Sequence, residues 1–291
     1  MNGILVVDKP EGWTSFDVIA KLRGVLGTRK LGHSGTLDPM ATGVLPVFVG
    51  PARKAVDLQQ DHDKEYLATL LLGRRTDTGD VTGTVLETAA VAVGEAELTQ
   101  VLPRFVGRQL QTPPMYSAVK VNGVPLYKAA RQGVEVERAA RPVTIYSLEY
   151  RGPCGNDRYQ LAVRCSRGTY VRTLLEDIGA ALGVPATMAA LRRTRAGAYG
   201  LEDSHTLEEV LAAKEAGVLP GLLAPLDSVF GHLPAAQVSR EAEARLYNGA
   251  PVYRFGQPDG AYRLYGGEGF LGLGRAEAGT LRAEKLFVER A

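Results

Sequence analysis

Residues 29–46, RKLGHSGTLDPMATGVLP, constrain this chain more than any other stretch. Glycines at 32, 35 and 43, with His33, Ser34, Thr36, Thr42 and the single carboxylate of Asp38, make it poor at holding a core together. Such a loop is suited to bringing backbone and small polar groups against a ligand. Asp38 precedes Pro39, and a residue before proline is pushed from helical toward extended backbone. That holds one carboxylate in a set direction at a loop tip. An aspartate in a plain Asp-Pro turn is the bland alternative, and the residues alone leave both open.

Patterning around this loop supplies the framework. Residues 3–7 (GILVV) read as a short buried strand. Thr14-Ser15 then cap a helix carrying Ile19, Leu22 and Leu26, stopped by Gly27. Residues 28–43 read as loop, and 44–49 and 65–72 as strands. A helix is expected over 95–105, and strands over 143–150 and 158–165, where Tyr159, Leu161, Val163 and Cys165 alternate. Leu174, Ile178 and Leu182 line one face of a helix over 170–182 that stops at Gly183. An acidic helix follows over 206–217. A boundary falls near 231–234. Beyond it a short helix over 239–248 and Gly-separated strand-like pieces ending in KLFVE read as a small β-rich domain of barrel type.

Composition removes several classes. At 291 residues there is room for one large domain or two ordinary ones, and 45% apolar with 23% charged residues excludes a disordered or fibrous chain. The uncharged stretches 39–52 and 178–191 contain Gly and Pro and are too short to span a bilayer. MNGILVVDKP has no basic n-region of a signal peptide. Cys154 and Cys165 cannot build a disulfide framework or a four-ligand zinc site, and His33, His62, His205 and His232 are scattered. The expectation is a soluble, reduced, cytoplasmic protein with no metal. Gly27 and Gly32 have the Walker spacing, but His33 stands where the lysine belongs. Gly267, Gly269 and Gly272 fit G-x-G-x-x-G without a βαβ unit around them. GHSGT lacks the second glycine of a nucleophile elbow, which weakens a serine hydrolase acting through Ser34.

The net charge of +2 says nothing of nucleic acid, but its distribution does. Residues 104–141 carry Arg104, Arg108, Lys120, Lys128, Arg131, Arg138 and Arg141 against Glu135 and Glu137, with Tyr116 and Tyr127 between. Further basic pairs stand at Arg29-Lys30, Arg53-Lys54, Arg74-Arg75 and Arg192-Arg193. Gathered on one face, these would bind a polyanion.

GHSGTLDPMATGVLP resembles the catalytic-aspartate motif of the TruB family of RNA pseudouridine synthases. DKPEGWTS (8–15), KEYLATLLLGRRTDTGD (64–80), TPPMYSAVKVNGVPLYKAAR (112–131), RGTYVRTLLEDIG (167–179) and LRRTRAG (191–197) resemble further segments of that family in the same order. The likeness runs from about residue 3 to 200. It implies an α+β fold, with a mixed, mostly antiparallel sheet flanked by helices and the active site in a central cleft. Residues 1–232 would form the catalytic domain, with a tRNA-gripping insertion at about 104–141, and 233–291 a PUA-like β-barrel.

The implied reaction cleaves the N1–C1′ bond of uridine, rotates the base and rejoins C5 to C1′, with no cofactor. The substrate would be uridine 55 in the T loop of tRNA, bound by a monomer. By the same resemblance Asp38 is the catalytic carboxylate, as nucleophile or base, and Arg172 its salt-bridge partner. Tyr66 would stack on the target base and assist removal of the C5 proton. His33 would support the flipped nucleotide, and Tyr170 and Leu191 would line the uracil pocket. Lys120, Lys128, Arg131, Arg192 and Arg193 are the expected RNA contacts, while Lys9 and Lys64 support loops or meet phosphate. A non-catalytic tRNA-binding folding chaperone on the same scaffold is the alternative.

Overall fold

The computed structural model describes residues 1–59, 61–121 and 123–288. Asn122 of the basic segment and Glu289, last of the KLFVE run, lie outside the described residues. The chain opens with β1 (Gly3–Lys9), followed by α1 (Ser15–Leu26). At the start of α1 the Thr14 hydroxyl accepts from the Asp17 amide at 3.0 Å, and the Asp17 carboxylate accepts from the Thr14 amide at 2.9 Å. This reciprocal box satisfies donors that a helix start otherwise leaves unpaired. Gly27 ends the helix with φ 63°.

The 28–43 segment is more ordered than its composition suggests, because β2 (Leu31–His33) pairs with β3 (Thr42–Val49). Next come β4 (Lys64–Leu72), a hairpin of β5 (Arg74–Thr76) and β6 (Val85–Thr88), and α2 (Glu95–Val101). α2 passes into a tighter 3₁₀ turn at Leu102–Phe105, where Pro103 has no amide to continue an α-helix. β7 (Gly107–Gln111) leads to the hairpin of β8 (Lys120–Val121) and β9 (Val124–Pro125), then α3 (Leu126–Ala130). β10 (Arg141–Gly155), β11 (Arg158–Cys165), α4 (Val171–Ala181), β12 (Ala186–Ala196), β13 (Tyr199–Gly200) and α5 (Leu207–Glu215) complete this part. The remainder is β14 (Ala235–Gln237), α6 (Arg240–Tyr247), β15 (Val252–Tyr253), β16 (Gly260–Gly266), β17 (Gly269–Glu277) and β18 (Thr280–Leu286).

Among the described residues the main sheet runs β1-β3-β12-β4-β11-β10-β7, with β2 on β3 and β13 on β12. Every pairing is antiparallel except β3 with β12, where Thr42 faces Arg192 and Gly43 faces Arg193. The sheet is therefore mixed and mostly antiparallel, as the resemblance implies. Local periodicity gives no hint of β12, whose LRRTR run is charged. Yet β12 lies in the middle of the sheet. Its crossing of β3 requires Gly43, because a Cβ there would lie 2.1 Å from the Arg193 carbonyl oxygen.

Alternation along β1 sends Leu5 and Val7 to one face and Ile4 and Val6 to the other. The first pair packs with Leu22 of α1 and Val210 of α5. The second packs with Phe48, Phe230, Leu273 and Phe287. α4 lays Leu174 and Ile178 over Leu70, Leu161 and Met188 of β4, β11 and β12. The C-terminal strands form a second sheet in the order β14-β16-β17-β18-β15. It is pinned to the first by Phe287, whose ring stacks on Phe230 and Phe270 at 5.7 and 5.9 Å.

Candidate active site

A cavity of about 380 Å³ opens where the loop before β3 meets β4, β12 and the start of α4. Asp38, Tyr66, Tyr170, Arg172, Leu191 and Arg193, far apart in sequence, all line it. The loop is fixed on both sides of Asp38. Ser15, first residue of α1, accepts from the Leu37 amide through its hydroxyl at 2.9 Å. Pro39 O accepts from the Gly12 amide at 2.9 Å and from Lys9 Nζ at 3.2 Å. Lys9 is fully buried, and its ammonium also donates to Pro10 O and Trp13 O at 2.8 and 2.6 Å. It is a loop support shut away from phosphate, and burial pushes its pKa down to about 8.

Arg172, in the first turn of α4, grips the loop carboxylate with two nitrogens. Nε lies 3.0 Å from Asp38 Oδ2, and Nη2 lies 3.3 Å from Oδ1. The guanidinium also donates to Thr78 O at 2.6 Å and Tyr116 O at 2.8 Å. A fork so fully occupied fixes direction as well as charge. About 35% of the Asp38 side chain remains accessible, against 5% for Arg172. Burial raises the Asp38 pKa above the usual carboxylate value; Arg172 opposes this and the nearby Asp80 adds to it. A salt bridge to Arg172 by itself would favour the charged carboxylate. Desolvation outweighs it because the carboxylate sits against the core.

Tyr66 stands on β4 opposite Arg193 of β12. Its phenol pKa is raised, chiefly by burial, with Arg193 pulling the other way. Leu191 is buried on the same strand as Arg193. Tyr170 precedes α4 and is clamped by Gln111, which accepts from its amide at 2.7 Å and donates to its carbonyl at 3.0 Å.

One expectation needs correcting. Arg193 is not a surface contact to phosphate, since only 1% of it is exposed. Its Nε donates to Val44 O at 2.7 Å and its Nη2 to Gly35 O at 3.1 Å. A central strand carries its side chains into the core whatever their charge. His33 lies on β2 beside Ser34 of the cavity lining, with its imidazole pKa lowered chiefly by burial. Lys120, Lys128 and Arg131 are exposed on the insertion, with Arg131 over the Tyr127 ring at 5.6 Å. Arg192 is half-buried and paired through both terminal nitrogens with Asp8, at 3.2 and 2.7 Å.

Some wall residues escaped the sequence reading. Lys64 and His62 line the cavity, and the Lys64 ammonium donates to His62 O. Burial pushes the Lys64 pKa down to about 8. Alternation from Tyr66 places Lys64 on the same face, a signal the sequence did offer. Arg167 and Ser117 also line the cavity. Ser117 comes from the basic insertion, so that segment walls the site as well as presenting charge. Among the described residues no group of His, Cys, Asp or Glu could hold a metal ion, and no helix is long and apolar enough to cross a membrane.

The architecture matches solved structures over nearly the whole chain. One is described as a crystal structure of a Cbf5-Nop10-Gar1 complex, at TM-score 0.73 and 28% identity, covering 98% of this chain and 85% of that one. Another, of an H/ACA RNP bound to a substrate RNA containing 2′-deoxyuridine, aligns at TM-score 0.72 and 26% identity, covering 99% and 86%. With an aspartate–arginine pair at the cavity, this fold defines the pseudouridine synthase class. Residues 23–171 match the model described as TruB family pseudouridylate synthase (N terminal domain). Residues 172–230 match the tRNA pseudouridylate synthase B C-terminal domain, and 234–287 the model described as Pseudouridine synthase II TruB, C-terminal. The chain belongs to the TruB family. It is similar to tRNA pseudouridine synthase B of Aromatoleum aromaticum, at 45% identity over 98% of this chain and 92% of that protein. The protein of the same name from Cronobacter sakazakii is 39% identical over 99% and 96%.

Proposed function

We propose that this protein isomerises uridine to pseudouridine in tRNA, at position 55 of the T loop, with Asp38 as the reacting carboxylate. One observation carries the reading. Asp38 is pinned on both flanks, gripped by Arg172, and still open to a cavity within the roughly 300–1,000 Å³ of small-ligand clefts. A uridine must leave its stack to enter, at a cost of a few kcal/mol. Stacking on an aromatic ring returns about 1–3 kcal/mol, and Tyr66 and Tyr170 are the rings at hand.

The ionised carboxylate attacks the sugar or the uracil ring, or takes a proton at the ribose 2′ position. Each route begins from the same geometry, and substrate and product are isomers, so no cofactor enters. Residues 1–232 act as the catalytic unit and 233–291 as a PUA-like RNA-contacting unit. The exposed Lys120, Lys128 and Arg131 meet the T-arm phosphates, and the half-buried Arg192 meets RNA from β12. The protein works as a cytoplasmic monomer on one tRNA at a time.

The test is incubation with unmodified tRNA transcript, with pseudouridine read by carbodiimide labelling and primer extension. The wild type is expected to mark position 55 alone. Asp38→Asn is expected to bind the RNA and make no product. Equal labelling by Asp38→Asn would overturn the assignment. RNA binding without turnover by the wild type would indicate a chaperone instead.

A further inference from the structure

Arg193 is among the largest fully buried side chains of the molecule, and no salt bridge among the described residues includes it. Its Nε and Nη2 donate to neutral carbonyls, Val44 O on β3 and Gly35 O in the Asp38 loop, and its guanidinium also hydrogen-bonds the Tyr66 side chain. The β4–β12 register sets it directly across from Tyr66, and both line the cavity. A buried cation without a carboxylate is costly unless something nearby becomes negative. The phenol of Tyr66 is the acidic group placed to do so.

We propose that Arg193 is a positioning residue that fixes the Tyr66 hydroxyl in the cavity and supports its ionised form as acceptor of the C5 proton. The inference rests on the uridine-isomerising reading above. Once C5 is joined to C1′, the C5–H bond breaks and its proton passes to the Tyr66 oxygenate. The C–H electron pair restores the C5–C6 double bond, and the pair displaced onto N1 takes up a proton. The proton Tyr66 first gives up equals the one N1 gains, so the sum is an isomerisation with no other reactant. The Tyr66–Arg193 interaction lowers the phenol pKa and raises that of the guanidinium, each against the larger effect of burial. Lys9, Lys64 and His33 also feel the Arg193 charge, and each has its own pKa lowered by it.

The experiment uses T-arm stem-loop RNA with uridine or 5-deuterouridine at the target, under single turnover, for the wild type, Arg193→Met, Arg193→Lys, Tyr66→Phe and the double variant Tyr66→Phe/Arg193→Met. Arg193→Met is expected to slow turnover about 10²-fold, the usual effect of losing one preorganised electrostatic partner. Its deuterium isotope effect should exceed that of the wild type, because C5 proton removal becomes limiting. Arg193→Lys should recover part of the rate. In the Tyr66→Phe background the same change should cost less than about threefold, since coupled groups are not additive. RNA affinity and its salt slope should stay as in the wild type.

Independent, multiplicative losses, or an unchanged isotope effect, would overturn the proposal. So would a salt slope smaller by about 0.7–0.9, which would make Arg193 a phosphate ligand. If Arg193→Met does not fold, Arg193→Lys carries the same comparisons. If Tyr66→Phe has no measurable turnover, the isotope effect decides. A wild type that makes no pseudouridine refutes the parent reading as well; an active wild type with uncoupled variants refutes this inference alone.

Discussion

Replacing Lys9 by Met tests how the catalytic loop is held. The ammonium sits at zero exposure among three carbonyls, those of Pro10, Trp13 and Pro39. Pro39 O keeps the Gly12 amide as donor, so the Pro10 and Trp13 carbonyls bear the loss. Two abandoned acceptors at about 1–3 kcal/mol each, less the relief of not burying an ammonium, leave a net loss of about 2–4 kcal/mol near neutral pH. The pH dependence is more diagnostic. Lys9 titrates at about 8 in the folded chain against 10.5 in the unfolded one. Between those values the unfolded chain binds more protons, so wild-type stability gains from this group as pH rises and the variant has no such gain. At about 1.4 kcal/mol per unit the gap between the two proteins should widen by roughly 3 kcal/mol from pH 8 to 10.5. Urea unfolding of both proteins across that range, followed by circular dichroism, measures the gap. A gap that stays constant or narrows would refute the reasoning. Turnover should fall about 10–100-fold, because Pro39 follows the reacting carboxylate and small misplacements cost that much.

Acidification should quench turnover at a pH above the ordinary aspartate value of 3.8, since burial raises the Asp38 pKa and the ionised form is the reactive one. Asp80→Asn removes a like charge and should move that acid limb of the pH–rate profile downward; a limb that moves up would contradict the electrostatics. Phe287→Ala should lower stability by about 3–5 kcal/mol in chemical denaturation, since the ring is fully buried between the two sheets. A loss under 1 kcal/mol would mean the C-terminal sheet is not anchored there. Changing Lys120, Lys128 and Arg131 together to Ala should reduce the log–log salt slope of RNA binding by about 2–3, at roughly 0.7–0.9 per phosphate, with single-turnover rate at saturating RNA retained. An unaltered slope would remove the insertion from the RNA interface.

Much of the framework was legible because its signals are local. The Thr14 box and Gly27 bounded α1 through backbone donors a few residues away, and alternation in residues 158–165 located β11. The helix expected over 95–105 ends early because Pro103 turns its last residues into a 3₁₀ turn, a local effect the sequence also carries. β12 was another matter. Its arginines read as solvent-facing, and only its neighbours β3 and β4 make it a central strand. The candidate site divides the same way. Asp38, Tyr66 and Arg172 stand out in family-like segments and alternation from Tyr66 reaches Lys64, whereas Gln111 as clamp on Tyr170 emerges only from packing.

By itself, then, the amino-acid order determined where helices start and stop, which strands alternate, and which loop carries the lone carboxylate. The fold alone decided which charges face water. Arg193 looked like a phosphate contact and became the buried neighbour of Tyr66, while Lys120, Lys128 and Arg131 of similar character stayed exposed. Burial belongs to what surrounds a side chain rather than to the side chain itself. Those surroundings come from residues distant in sequence, 158 positions away in the case of Arg193 and Gly35.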